Sequence, residues 1–386
     1  MSAKGNSSIV LTDSSLVCSL GLDAATACAA ARAGIVRMTA VDTFIVGTRD
    51  DFGGASVHAA PLIAHGFEGD ARLLRLLQSA FEGLGSRTRA ALNTARAGLY
   101  VSLPHPDRPH TGFELIADEE LRQQEIARWQ EIQAARPDLD DWGRRATSLL
   151  AKASALAGFE QPVDLRAFSM TGHTGVAEMI GAAARDLLAG TVELAVIGGV
   201  DSLVDFSALR WLEQRGRLKS QTTPAGLAPG EAAGFLLMET LRQAHGRGAA
   251  ILSAVQSTTF AREENAHLAA KISVGESLAS ILAGTAPRAD WSPGAPPWLI
   301  VDQNGETYRA HEWGCALARL VERHPAFQYP LVWYPVMSMG DTGAATGIVQ
   351  TNMALQAFQR GYAPARQAAL LAGSDAGHRS VTLLAA

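Results

Sequence analysis

Between Leu165 and Ser202 the apolar positions change period twice. A short apolar stretch reaches Met170, and a Gly-framed polar turn, Thr171-Gly172-His173-Thr174-Gly175, interrupts it. Val176, Ile180, Ala183 and Leu187 then recur at i, i+4, i+7 and i+11, the spacing of one helical face. The unbroken apolar run 194–197 that follows closes on Gly198-Gly199 and reads as a buried strand. The pattern predicts strand, turn, helix, strand. His173 stands at the centre of the turn, facing the partial positive charge of the helix N-terminus.

The rest of the chain follows the same logic. Residues 8–17 predict a strand and an Ala-rich helix follows to about Ala33, ended by Gly34. Residues 42–69 show little periodicity and predict loop with short elements. A helix is expected over 71–84 (Leu73, Leu76, Leu77, Ala80), a strand over 97–103, and a helix over 142–157. Between them, residues 105–137 shift to Pro, His, Glu, Gln and Arg. They predict an insertion carrying an amphipathic helix over 121–134 that lies on the core, its charges a solvated face. Strands are expected over 235–238, 249–255 and 298–301. A helix is expected over 275–282, and another after Asp341, where Val349, Met353 and Ala357 recur.

Composition adds exclusions. An apolar fraction of 47% and a charged fraction of 18% describe a globular chain, and 386 residues allow one large α/β domain or two fused halves. A formal charge of −5 predicts neither nucleic acid nor an anionic membrane as partner. Cys18, Cys28 and Cys315 are unclustered, which fits neither a disulfide framework nor a metal site. The opening MSAKGNSS lacks an apolar signal region, and no apolar run is long enough to span a bilayer, so the expected location is cytoplasmic. No P-loop, dinucleotide fingerprint, HExxH or GxSxG occurs, and no cofactor or metal is expected.

The 165–202 stretch resembles the β-ketoacyl synthases of the thiolase fold family, in which a strand–turn–helix carries the acyl-accepting cysteine and a Gly-Gly ends the next strand. Placing Gly198-Gly199 on that pair puts His173 at the cysteine position, with Thr174 and Gly175 on the small residues after it. Further matches are Ser19-Leu20-Gly21-Leu22 after the first strand and Pro229-Gly230-Glu231-Ala232-Ala233-Gly234 before Phe235. The resemblance spans nearly the whole chain apart from the insertion.

It implies an α/β, thiolase-like fold with duplicated αβαβα layered halves and mixed five-stranded sheets. The halves are expected over residues 1–245 (with the insertion at about 105–140) and 246–386. No sequence repeat marks the duplication. The resemblance also implies dimerisation through the strand following the nucleophile helix and nearby elements.

Every catalytic position of the family is replaced. In Val301-Asp302-Gln303-Asn304-Gly305-Glu306-Thr307, Asn304 stands at one histidine position. In the segment from Tyr334 to Ala345, Val336 stands at the lysine position and Asp341 at the second histidine. Gly373-Ser374-Asp375-Ala376-Gly377-His378 replaces the Phe/Gly-rich loop that lines the condensing site. Condensation requires a thiolate and two imidazoles, so ordinary Claisen chemistry is not expected.

The resemblance would bring His173, Asn304, Asp341 and Glu306 into one cleft. One reading is a binding or assembly subunit without condensing activity that keeps an acyl or pantetheine pocket. The alternative is an acyltransferase or thioesterase with neutral His173 as general base, Asp341 orienting it, Asn304 as oxyanion donor and Glu306 as a second carboxylate. A third is a secretion- or assembly-associated adaptor. The structural alternatives are a satisfied buried His173, a turn at Asn304-Gly305 and an N-cap at Asp341. Expected partners are a second copy or a related synthase-like subunit, and an acyl carrier protein or acyl-CoA. The cluster Arg215, Arg217 and Lys219 reads as a contact for an acidic carrier protein or as solvated surface.

Overall fold

The computed structural model describes residues 8–48, 51–105, 113–134, 139–267, 269 and 271–386. Ten of its strands form one mixed sheet: β1 (Ile9–Cys18), β4 (Ala97–Ser102), β5 (Asp164–Ser169), β6 (Leu194–Ser202), β7 (Glu231–Thr240), β8 (Ser253–Arg262), β9 (Trp298–Val301), β10 (Leu331–Trp333), β11 (Gln367–Gly373) and β12 (His378–Ala385). Two more, β2 (Thr39–Thr48) and β3 (Asp51–Val57), pair as a separate antiparallel ribbon.

The sheet order is β10-β9-β11-β12-β8-β1-β7-β6-β4-β5. Its two sets of five strands repeat one plan. In each set the second strand pairs in parallel with the third and the fourth, and the fifth runs antiparallel to the fourth and the first. A short antiparallel ladder between β1 and β8, Ile9 to Leu11 against Val255 to Ser253, joins the two sets edge to edge.

Side chains alternate between faces with the period of two that a strand imposes. Ala195 and Ile197 face one core, Leu194, Val196 and Val200 another. Likewise Trp298 and Ile300 face the first core, while Leu299 and Val301 face a third. On the shared face lie the helices Gly175–Ala189 and Thr346–Gln359. The opposite face carries Gly69–Glu82 and Leu139–Leu156 over the first set, and Glu276–Thr285 and Thr307–Arg323 over the second. Strands covered on both sides are apolar throughout. Twelve of the fourteen residues of Thr346–Gln359 are buried, so this helix is enclosed on all sides rather than along one stripe. Close approach in this core explains the paired glycines: a Cβ on Gly198 would fall 2.6 Å from the Phe235 ring, and one on Gly199 2.8 Å from Ile348.

Three expectations are corrected. Residues 42–69 hold the β2–β3 ribbon, whose pairing shifts register between Val41 and Ile45 and so breaks strict alternation. The strand expected over 249–255 begins at Ser253 and runs on to Arg262. On the insertion helix Glu119–Ala134 the charged side chains Glu119, Glu120, Arg128 and Glu131 are exposed as expected, while Glu125 is the buried one among its described residues and pairs with Arg210 at 2.6 Å. Residues 106–112 and 135–138 of the insertion lie outside the described residues. Finally, β6, the strand after the helix at His173, is interior: it lies between β4 and β7 with all nine residues buried, which leaves the nearby elements of the expected contact, such as the edge strand β5, and not β6 itself. The outer edges are β5 and β10.

Candidate functional site

The repeated plan places two equivalent turns side by side. β5 leads through a tight turn, Gly172–Thr174, into the helix Gly175–Ala189, and β10 leads through Gly343–Ala345 into Thr346–Gln359. Each turn opens on a glycine in the left-handed region, Gly172 at φ +69° and Gly343 at φ +50°. At Gly343 the requirement is also steric, because a Cβ would sit 2.1 Å from the Asp201 carboxylate. That carboxylate accepts the Ala344 N–H at 2.7 Å.

The sequence-derived residues meet here. His173 Nε2 lies 2.8 Å from Asp341 Oδ1, and Asn304 Nδ2 donates to Asp341 Oδ2 at 2.7 Å. Asn304 Nδ2 also donates to Glu306 Oε2 at 2.9 Å, while its Oδ1 accepts the Glu306 N–H at 3.2 Å. An amide nitrogen carries two hydrogens. Both go to carboxylates, so Asn304 has no donor left for an oxyanion. Asp341 Oδ1 also accepts the Gly343 N–H at 2.9 Å, a cap on the turn.

Glu306 is equally occupied. Arg217 grips it bidentately, Nε to Oε1 at 2.6 Å and Nη2 to Oε2 at 2.8 Å, and its Nη1 reaches Asp375 Oδ2 at 2.7 Å. Asp375 Oδ1 accepts from Tyr308 Oη at 2.5 Å and from Arg309 Nη2 at 3.2 Å. Arg309 Nη1 bonds Asp302 at 2.9 Å and the Gly373 carbonyl at 2.8 Å, and its Nη2 lies 3.4 Å from His173 Nδ1. The surface reading of Arg215 and Arg217 is therefore corrected: both are buried. Sequence reasoning passed over Arg309 and Tyr308 entirely. Asp302 and Asp375 stood inside quoted motifs, yet nothing local distinguished them as partners of arginines.

The electrostatics are those of a closed network. Burial disfavours a charged His173, but the adjoining Asp341 carboxylate outweighs burial and the opposing Arg309, so the imidazole pKa is raised. The direction is opposite to the one expected from the helix N-terminus alone. Asp341 is held well below the carboxylate range against burial by His173, Arg309 and Asn304. Arg217 and Arg309 likewise hold Asp375 low against burial.

Beside His173 is a cavity of about 210 Å³, walled by Met170, Asp201, Trp211, Leu227, Asp375 and His173 itself among others. No cysteine lines it. Cys18 and Cys28 are buried elsewhere, where burial pushes their thiols up to about 11 and about 12. Cys315 sits in Thr307–Arg323.

No protein-family model and no curated protein sequence matches the chain. Solved structures do. An oxazolomycin ketosynthase domain of Streptomyces albus JA3453 aligns with a TM-score of 0.69 at 17% identity, covering 98% of this chain and 74% of that one. The ketosynthase from module 6 of the bacillaene synthase of Bacillus subtilis 168 gives 0.69 at 12%, covering 98% and 72%. The ishigamide ketosynthase/chain length factor gives 0.63 at 18%, covering 98% and 99%. The chain thus has the thiolase-like ketosynthase fold. Among the described residues no helix is long and apolar enough to cross a membrane.

Proposed function

We propose that this chain is a ketosynthase-like subunit without condensing activity that keeps a pocket for an acyl or pantetheine group. One observation supports the reading: His173, Asn304 and Asp341, which the resemblance sets at the nucleophile and the two imidazole positions, lie together, with Asp341 hydrogen-bonded to both of the others. None of them is a thiolate, and the cysteines of the chain are far from the thiolate state or lie outside the cavity lining.

The general-base alternative is less well supported. His173 Nε2 is engaged by Asp341, and Nδ1 faces a guanidinium that has only protons to give. Asn304, its intended oxyanion donor, is saturated. The cavity remains, about 210 Å³ with Met170, Leu203, Trp211 and Leu227 among its lining residues, which supports a slender ligand arm rather than a bulky group. Among structures of the same fold are a ketosynthase/chain length factor and a complex of an acyl carrier protein with its ketosynthase. A related subunit and a carrier protein are therefore the partners proposed here.

The test is thiol release from a panel of acyl-CoA thioesters by the wild type and His173→Ala, beside calorimetric binding of an acyl-pantetheine. The expected result is binding without release by either protein. Release by the wild type that disappears in the variant overturns the reading in favour of acyl transfer or hydrolysis.

A further inference from the structure

The charges that wall the cavity say what the ligand carries. Asp201, Asp341 and Asp375 line it from three separate segments, and Arg217 is the arginine among its lining residues. All three nitrogens of that guanidinium are engaged, two on Glu306 and one on Asp375, at 2.6 to 2.8 Å. Arg217 is buried, and three of its five N–H donors, one on each nitrogen, are spent on these carboxylates. His173, the imidazole nearest the network, is already paired with Asp341. Asp375 keeps 31% of its side chain exposed, so it presents charge to anything that enters.

From this we propose, resting on the pocket reading above, that the cavity takes acyl groups with an uncharged end and rejects those ending in a carboxylate. A ligand carboxylate would approach three aspartates, and Arg217, the arginine in the lining beside them, is already shared between Glu306 and Asp375. Like-charge contact of this kind away from bulk water is strongly unfavourable. An uncharged acyl arm meets Met170, Leu227 and Trp211 instead.

Two pantetheine thioesters of nearly equal shape, isovaleryl and malonyl, separate charge from size. Both are titrated into the full chain at pH 8 by isothermal calorimetry. Isovaleryl-pantetheine is expected to bind at least about tenfold more tightly. Asp375→Asn should narrow that ratio about fivefold. Because Asp375 belongs to a buried network, Ala376→Lys, an exposed cavity-lining position, supplies a second variant that should narrow it by adding a cation. Malonyl binding as tight as isovaleryl, or a ratio that neither folded variant moves, overturns the charge rule while leaving the pocket. Binding of neither thioester overturns the pocket reading, and the charge rule with it.

Discussion

His173 and Asp341 lie 168 residues apart in the chain and 2.8 Å apart in space, each beside the turn that opens one of the two central helices. Their side chains are 13% and 2% exposed, so the pair is withdrawn from solvent. It links the two halves of the repeated plan beside the turns that open their central helices.

Removing one partner therefore exposes a cost. Asp341→Asn should lower the His173 pKa and destabilise the fold by about 3 kcal/mol, the scale of a broken buried ion pair. Imidazole NMR titration reads the first effect and urea unfolding the second. An unchanged His173 titration would show that Asp341 does not set it.

The same pair gives stability a pH dependence of known sign. His173 has a raised folded pKa, so its contribution is complete below about pH 6.5, its ordinary value. That contribution is lost as pH rises through the folded value. Asp341 acts at the other end: its contribution is present above about pH 3.9 and is lost as pH falls through its lowered value. Unfolding free energies measured from pH 5 to 9 should fall with rising pH in the wild type more steeply than in His173→Gln.

Arg217 holds two carboxylates from residues 89 and 158 positions away. Arg217→Met should cost about 3–5 kcal/mol, because buried Glu306 loses its bidentate cation and keeps only Asn304 and a 4.0 Å contact with Arg309. Combining it with Glu306→Leu should recover part of that loss. A double variant no more stable in guanidinium than the single one would mean that the pair is not the source.

Thiol chemistry offers an inexpensive check on the core. Cys18 and Cys28 are buried with raised pKa values, while Cys315 is partly exposed. Ellman's reagent should titrate about one thiol per native chain and three after denaturation. Fast modification of a second thiol in the native protein would contradict the placement of β1 and its following helix.

Backbone proximity sets a further limit at Gly234, the last glycine of the Pro229–Gly234 motif. A Cβ there would fall 2.3 Å from the Ser15 carbonyl oxygen in the neighbouring strand. Gly234→Ala should destabilise the protein by about 2 kcal/mol, measured as a lowered urea midpoint. A neutral substitution would show that β1 and β7 can part without penalty.

Where apolar periodicity was bounded by glycine, the sequence was readable almost residue by residue. The helix expected from Val176, Ile180, Ala183 and Leu187 spans Gly175–Ala189, and the strand of residues 298–301 lies where its apolar run is. The β2–β3 ribbon was not, because its register shift hides the alternation. At the site, His173, Asn304, Asp341 and Glu306 were singled out and do converge, but their hydrogen-bond partners were not foreseeable. Arg217 lies in an Arg-x-Arg-x-Lys run that looks like surface, and only tertiary pairing with Glu306 and Asp375 explains its burial. The two turns built on Gly172 and Gly343 repeat in three dimensions, and each opens on a Thr-Gly pair, Thr171-Gly172 and Thr342-Gly343, a short match that says little by itself in a Gly-rich chain.

The place of β1 between β7 and β8 has a consequence for synthesis of the chain. Its neighbours in the sheet are residues 231–240 and 253–262, so more than two hundred residues must emerge before β1 can close either ladder. At ordinary translation speeds that is a wait of roughly ten to forty seconds. During it Ile9, Leu11 and Leu16, all buried in the finished protein, have no sheet to enter. Slow, long-range closure of this kind exposes an apolar strand to other chains, and makes β1 the segment through which a nascent copy is most open to a chaperone or to misassociation.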